Sequence, residues 1–287
     1  KPEKTVDYEV GFQQKLSNTS ALKISAYYKE MRDMITFRTI FPVPFINSYD
    51  TYDNLDFGTV TGFSFQYDLR GTGNVTLLAN YTLQFADGTG SNANSSRGIA
   101  NNGVIRTLSP LSFDERHRFV ASLDYRYRSG AAYNGPELFG AQIFANAGLN
   151  LQFNTVSGRP YTKYLTPGEL TGSQISGAIS GARKPWNSTL NLRIDKSFTI
   201  AKSYRINVYL RVSNVLDKRN VINVYPATGA PDDDGFLASA NGISKLNEIE
   251  NSKREIQAYL SSYQWRILNP NYFSLPRRMF IGASFSF

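Results

Sequence analysis

Tyr204-Arg205-Ile206-Asn207-Val208-Tyr209-Leu210-Arg211-Val212-Ser213 decides how the chain is read. Its even positions are all apolar or aromatic, and its odd positions are polar with two arginines. Successive side chains of a β-strand point to opposite sides, so this alternation marks a strand with one side in an apolar medium and the other in water.

The same pattern recurs on both sides of this stretch. The longest uncharged run, Leu138 to Gly158, has the length of a membrane helix, yet Ala145, Ala147, Leu149, Leu151 and Phe153 alternate with Asn146, Gly148, Asn150, Gln152 and Asn154. A lipid-exposed helix would scatter those polar positions around its circumference, whereas a strand collects them on one side. Alternation also marks strands from Val6, from Leu22, from Phe63, from Val75, from Phe119 and from Leu190, and a last one from Met279 to Phe287. That makes nine strands, most of them long enough for the roughly 9–11 residues that cross a bilayer at a tilt.

The composition agrees. The 287 residues are 41% hydrophobic, 14% aromatic and 19% charged, with net charge +8, one His and no Cys. Without cysteine there is no disulfide scaffold, thiol enzyme or Cys-based zinc site. The aromatic content excludes extended disorder. The opening Lys1-Pro2-Glu3-Lys4 has no apolar signal core.

Connections alternate in length. Ser17–Ser20, Gly71–Gly73 and Ala201–Ser203 read as tight, with a longer connection near Ser129–Gly140 on the same side. Opposite them lie long loops at about Ile40–Asp56, Ala86–Asp114, Gly158–Pro185 and Asp217–Leu275. Short turns at one end and long loops at the other are the pattern of a transmembrane β-barrel, with periplasmic turns and extracellular loops. Aromatics near strand ends, including Tyr8, Tyr28, Tyr125, Trp186, Phe198 and Tyr204, suit interfacial girdles. The fold class expected is all-β: a transmembrane antiparallel β-barrel, with a helix from Ser244 to about Leu260 in the last long loop, capped by Ser244. Bacterial barrels have even strand numbers, so nine strands point to part of a larger barrel, with a ten-stranded barrel as the rival.

Several segments resemble TonB-dependent outer-membrane receptors of the Bacteroidetes type. Lys1-Pro2-Glu3-Lys4-Thr5-Val6-Asp7-Tyr8-Glu9-Val10-Gly11 resembles the strand that begins the C-terminal half of such barrels. Ser157-Gly158-Arg159-Pro160-Tyr161-Thr162 resembles a strand-to-loop exit, and Leu192 to Phe198 a late strand. Val212-Ser213-Asn214-Val215-Leu216-Asp217-Lys218-Arg219-Asn220 resembles an asparagine-spaced element near the penultimate strand. Asn271-Tyr272, Pro276-Arg277-Arg278 and Phe285-Ser286-Phe287 resemble the terminal strand, and Met279, Ile281, Ala283, Phe285 and Phe287 match the C-terminal insertion signal of outer-membrane proteins. The resemblance implies residues 1–287 as the last nine strands of a 22-stranded barrel in the outer membrane of a Gram-negative bacterium. It also implies a plug domain and TonB contact outside this chain, substrate capture by extracellular loops, and a surface lipoprotein lid as partner.

Residues with chemistry are few. Asp124, Arg126, Arg128, Arg193, Asp195, Arg205 and Arg211 are expected to face the lumen, as plug contacts or as the solvated ion pairs of a polar wall. Asp232-Asp233-Asp234-Gly235 has the end of a Ca²⁺-loop pattern, which makes Asp232 and Asp234 metal candidates, although a solvated turn is the plainer reading. No other cofactor is expected. His117 lacks a second His or Cys to form a zinc or catalytic set and reads as an interfacial or loop-base residue. Gly88-Thr89-Gly90-Ser91-Asn92-Ala93 fits a dinucleotide fingerprint in letters only, since no helix signal follows. Lys245, Lys253 and Arg254 make no nucleic-acid footprint but suit anionic lipopolysaccharide. The expectation is therefore a receptor without covalent chemistry. The rivals are a passive porin-type channel, a barrel serving as scaffold in an envelope or secretion assembly, and a soluble antiparallel carbohydrate-binding protein.

Overall fold

The computed structural model describes residues 1–40, 48–95, 107–167, 174–200 and 204–287. Nine long strands dominate it: β1 (Lys4–Lys15), β2 (Ser20–Ile40), β3 (Tyr49–Thr72), β4 (Val75–Gly88), β5 (His117–Arg126), β6 (Ala147–Val156), β7 (Asn187–Ile200), β8 (Tyr204–Ser213) and β9 (Arg278–Ser286). Each pairs antiparallel with its neighbours in chain order, in one continuous sheet. The Ser109–Pro110 strand adds two residues beside β4.

Register carries the alternation across the whole sheet. Val75, Tyr125, Leu149, Ile194, Leu210 and Ile281 stand side by side in one apolar row crossing β4 to β9. One position along, Arg126, Gly148, Asp195, Tyr209 and Gly282 form a row on the other face. A one-residue slip would exchange the faces, so every strand pins its neighbour's register. The apolar face is bare: Ile281 is 83% exposed, and Val10, Phe12, Phe63, Ile194 and Phe198 are exposed with it. Soluble monomers rarely expose apolar patches beyond a few hundred Å², so this face needs a nonaqueous neighbour. No described helix is long and apolar enough to cross a membrane.

The small core lies on the opposite, polar face. Leu111, at the end of the β4–β5 loop, folds inward onto Val60 and Ala86, with Tyr27 and Met31 around them. A Cβ at Gly58 would come within 3.1 Å of Leu111, and one at Gly88 within 2.9 Å. These paired glycines make the seat in which the leucine rests.

Two expectations change. The Ile40–Asp56 loop is shorter than predicted, because β3 begins at Tyr49, while β2 ends at Ile40 as expected. The charges Asp50, Asp53 and Asp56 hid the start of β3, which is held to β2 by pairs such as Arg38–Asp53 at 3.1 Å and Thr39–Asp50 at 2.8 Å. The predicted single helix is two, α1 (Ala240–Asn251) and α2 (Ile256–Ile267). Ser239, not Ser244, caps α1 through Gly242 N–H. The break comes where Lys253 adopts φ 54° while the Lys253 and Arg254 amides donate back to Glu250 and Ile249. That is a Schellman stop with lysine in place of the usual glycine, so the expected sequence cue is missing. The longer connection predicted near Ser129–Gly140 is present, and it carries a 3₁₀ turn at Gly130–Ala132 and a hairpin pairing Glu137–Leu138 with Ala141–Gln142. The predicted Ala201–Ser203 turn lies outside the described residues, as do residues 41–47, 96–106 and 168–173 of the long loops.

Candidate functional site

Two groups of charged side chains stand out, at opposite ends of the sheet. The first is on the polar face towards the short-turn end. Arg126 donates two parallel hydrogen bonds to Asp195, Nη1 to Oδ2 at 3.1 Å and Nη2 to Oδ1 at 3.0 Å. Their strands, β5 and β7, are separated by β6, and the side chain crosses at Gly148, where a Cβ would collide with the guanidinium. Asn207 donates to the same carboxylate at 3.0 Å, and Arg193 Nε stands 3.9 Å from it. Asp124 reaches Arg126 at 3.8 Å. Asp195 is 5% exposed, but the Arg126 side chain is 43% exposed, so the cluster opens onto the face.

Arg193 and Arg211 are direct register partners. Like charges directly opposite disfavour pairing. Each guanidinium turns instead onto an aromatic ring, Arg193 over Tyr209 at 4.7 Å and Arg211 over Phe280 at 5.0 Å. The structure thus joins Asp124, Arg126, Arg193 and Asp195 into one network and places Arg211 beside it. Arg205 lies nearer the turn end, opposite Thr199 and Ser286. Arg128 is exposed beyond the end of β5.

The second group sits at the long-loop end. Asp114 is 1% exposed. Its carboxylate accepts from Arg183 and from the Ala86 amide. Arg183 also donates to the Asp114 and Gly158 carbonyls, at 2.8 and 3.2 Å. Next to it Arg159 donates to Glu115 at 2.8 Å. One buried carboxylate thereby ties the β4–β5 loop to the β6–β7 loop. Neither Asp114 nor Arg183 was singled out from sequence, because the two lie 69 residues apart without a local motif. His117 stacks between Tyr81 and Trp186 on the apolar side of this rim, with Nδ1 2.8 Å from the Tyr81 hydroxyl.

Asparagines of the Val212–Asn220 element close the next strand ends. Asn220 imitates a strand residue: its side-chain amide donates to the Ser188 carbonyl at 2.9 Å, and its side-chain oxygen accepts the Ser188 amide at 2.8 Å. Asn214, at φ 53°, holds the Lys218 and Leu275 carbonyls at 3.0 and 3.3 Å. Beyond them the last loop packs on its own aromatics. Tyr263 donates to Asp234 at 2.5 Å and stacks on Phe236. Burial, with Asp234 adding to it, raises the Tyr263 pKa well above its ordinary value. The Asp234 carboxylate is engaged with Tyr263 and the Phe236 amide. Among the described residues no group of three His or acidic residues is placed to hold a metal ion. Lys184 bridges the last two loops, donating to Ile222 and Asn223 at 2.8 and 2.9 Å.

Under the Leu111 turn, a cavity of about 520 Å³ opens among Glu9, Lys29, Met31, Gln84 and Phe113. It mixes both charges with apolar surface and lies on the polar face.

Known proteins share this framework. Comparison with curated proteins returns no significant match. Among solved structures, the outer membrane transporter YddB from Escherichia coli superposes with TM-score 0.52 at 12% identity, over 77% of this chain and 30% of that one. FpvAI, solved in complex with pyocin S2, superposes with TM-score 0.50 at 11% identity, over 79% and 24%. At such identities the likeness is one of fold, and the chain spans less than a third of either relative. A family model described as TonB dependent receptor-like, beta-barrel matches residues 1–215. That match covers well over half of the chain, which therefore belongs to the TonB-dependent receptor-like β-barrel family.

Proposed function

We propose that the chain is the C-terminal portion of the barrel of a TonB-dependent outer-membrane receptor, of the Bacteroidetes type, within a 22-stranded wall. The observation that carries this reading is the nine-stranded antiparallel sheet with one bare apolar face and one ion-paired polar face. In this reading the apolar face meets lipid and the polar face lines the lumen. The loop end faces outward, towards substrate and lipopolysaccharide, and the turn end faces the periplasm of a Gram-negative cell.

The receptor takes up a substrate held by the outer loops. Uptake is energised by TonB acting on a plug domain carried outside these residues, with a surface lipoprotein as lid. The rim staple at Asp114 and Arg183 holds two of the loops that meet the substrate. The wall around Arg126, Arg193 and Asp195, with Arg205 and Arg211, presents more positive than negative charge and suits an acidic plug surface. No covalent chemistry or resident cofactor is part of this reading. The insertion signal at Met279, Ile281, Ala283, Phe285 and Phe287 is supported by the continuity of its apolar positions with those of β8.

Planar-bilayer conductance of the full-length protein tests the reading. A plugged receptor is electrically silent, whereas a steady open conductance favours a porin-type channel. Substrate uptake that persists without TonB also favours the porin-type channel, and stoichiometric envelope proteins at purification without substrate uptake favour the scaffold.

A further inference from the structure

The β5–β6 connection departs from the other turns. Of the other described turns, residues 16–19 and 73–74 are short, and Leu16 is their single apolar residue. The stretch 129–146 has a single charge, Glu137, and displays Leu138, Phe139 and Phe144 to solvent. It is also built. Gln142 bridges both backbone groups of Gly130 with its side-chain amide, at 3.0 and 3.1 Å. The Tyr133 hydroxyl donates to the Pro136 carbonyl at 2.6 Å, and Tyr127 packs against Tyr133 and Phe144.

At its tip Phe139 and Gly140 have φ 50° and 74°. Positive φ at both central residues is the geometry of a tight hairpin turn that favours Asn-Gly or Gly-Gly. A phenylalanine there is strained, and it is fully exposed. Strain of this kind concentrates where function holds it.

The position of the connector says what the tip meets. Tyr125, in the apolar row, packs edge-on against Tyr127. Lys196, on the apolar face of β7, donates to the Ile143 carbonyl and lies over the Phe198 ring. β7 to β9 continue past this level and still present Phe198, Ile206 and Phe285 in one apolar row. The connector therefore begins where its neighbours are still showing apolar side chains.

We propose that this connector is a membrane-interface anchor, with Leu138 and Phe139 inserted between the headgroups and acyl chains of the periplasmic phospholipid leaflet. The occupant is a lipid surface because the hairpin is continuous with the apolar face through Tyr125, Tyr127 and Lys196. The inference rests on the barrel reading above and adds an element that a plain periplasmic turn lacks.

These 287 residues contain no cysteine, and with any cysteine elsewhere in the full-length protein replaced by serine, single labels are unambiguous. Phe139→Cys, Leu138→Cys, Asn18→Cys and Phe63→Cys in the full-length protein, each carrying an environment-sensitive dye, are reconstituted in phosphatidylethanolamine–phosphatidylglycerol vesicles. Dyes at 138 and 139 are expected to be blue-shifted, several-fold less accessible to iodide than at 18, and quenched best by lipids bearing nitroxide near the headgroup. That corresponds to a depth of about 5–10 Å. The dye at 63 is expected to be lipid-quenched. A lipid-quenched 63 with 138 and 139 as aqueous as 18 overturns the anchor alone. An aqueous 63 overturns the barrel reading and the anchor with it. Shielding at 139 that appears only on adding periplasmic proteins replaces the lipid with a protein partner and also overturns it.

Discussion

Two arginine–aspartate pairs, each joining residues 69 apart, do different work. Arg126–Asp195 lies on the polar wall, its arginine half-exposed and its further neighbours side chains, among them Asn207, Asp124 and Arg193. Arg183–Asp114 is enclosed, and its remaining hydrogen bonds are to main chain, two loop carbonyls and the Ala86 amide. The chemistry is the same, but the surroundings decide the role. A pair bonded to main chain fixes where the chain goes, whereas a pair bonded to side chains in an open wall leaves charge available to whatever lies against it.

The difference predicts unequal costs. Asp114→Ala strands Arg183 without its carboxylate, and removing one partner of a buried pair costs about 3–5 kcal/mol. The β4–β5 and β6–β7 loops should become protease-sensitive while the strands stay resistant. Unchanged proteolysis would remove the staple from the account. Asp195→Asn keeps the shape and removes the charge, and the exposed Arg126 recovers water, so the loss is smaller, about 1–3 kcal/mol in denaturant unfolding. A cost equal to that at Asp114 would erase the distinction between the pairs.

Asn220→Ala breaks the ladder imitation at the top of β7 and costs about 1–2 kcal/mol. Faster hydrogen exchange at Ser188 is its signature, because the Ser188 amide loses its acceptor. The smallest effect is expected at Tyr263. Its folded pKa is raised, so its contribution is complete below the unfolded value of about 10 and is lost as pH rises through the folded value. Trp265 fluorescence, with Trp186 and any tryptophan elsewhere in the full-length protein replaced by Phe, should report loosening of α2 in alkali, and Tyr263→Phe should remove that pH dependence.

Much of the fold is legible in single strands. Tyr204–Ser213 alternates without exception and is a strand over the same residues. Lipid on one side and water on the other act on every position there, so the pattern is written residue by residue. The start of β3 is hidden in the sequence because Asp50, Asp53 and Asp56 interrupt the apolar alternation. The helix break was missed because Lys253 stands where glycine usually signals a stop. At the polar wall, sequence supplied the residue types and their common face, since each belongs to the polar set of its own strand. It did not supply the Arg126–Asp195 bond, which depends on Gly148 lying between them in register. The Asp114–Arg183 staple joins two loops, where no periodicity operates.

The central claim is that the sheet separates lipid from a polar lumen. Spin labels placed one at a time from position 205 to 213 of the full-length protein in vesicles test it directly, by collision with oxygen against a water-soluble nickel chelate. The account predicts a period of two, with 206, 208, 210 and 212 favouring oxygen and 205, 207, 209 and 211 the opposite. Accessibility without alternation, or equal access of the nickel chelate to both sets, would contradict it.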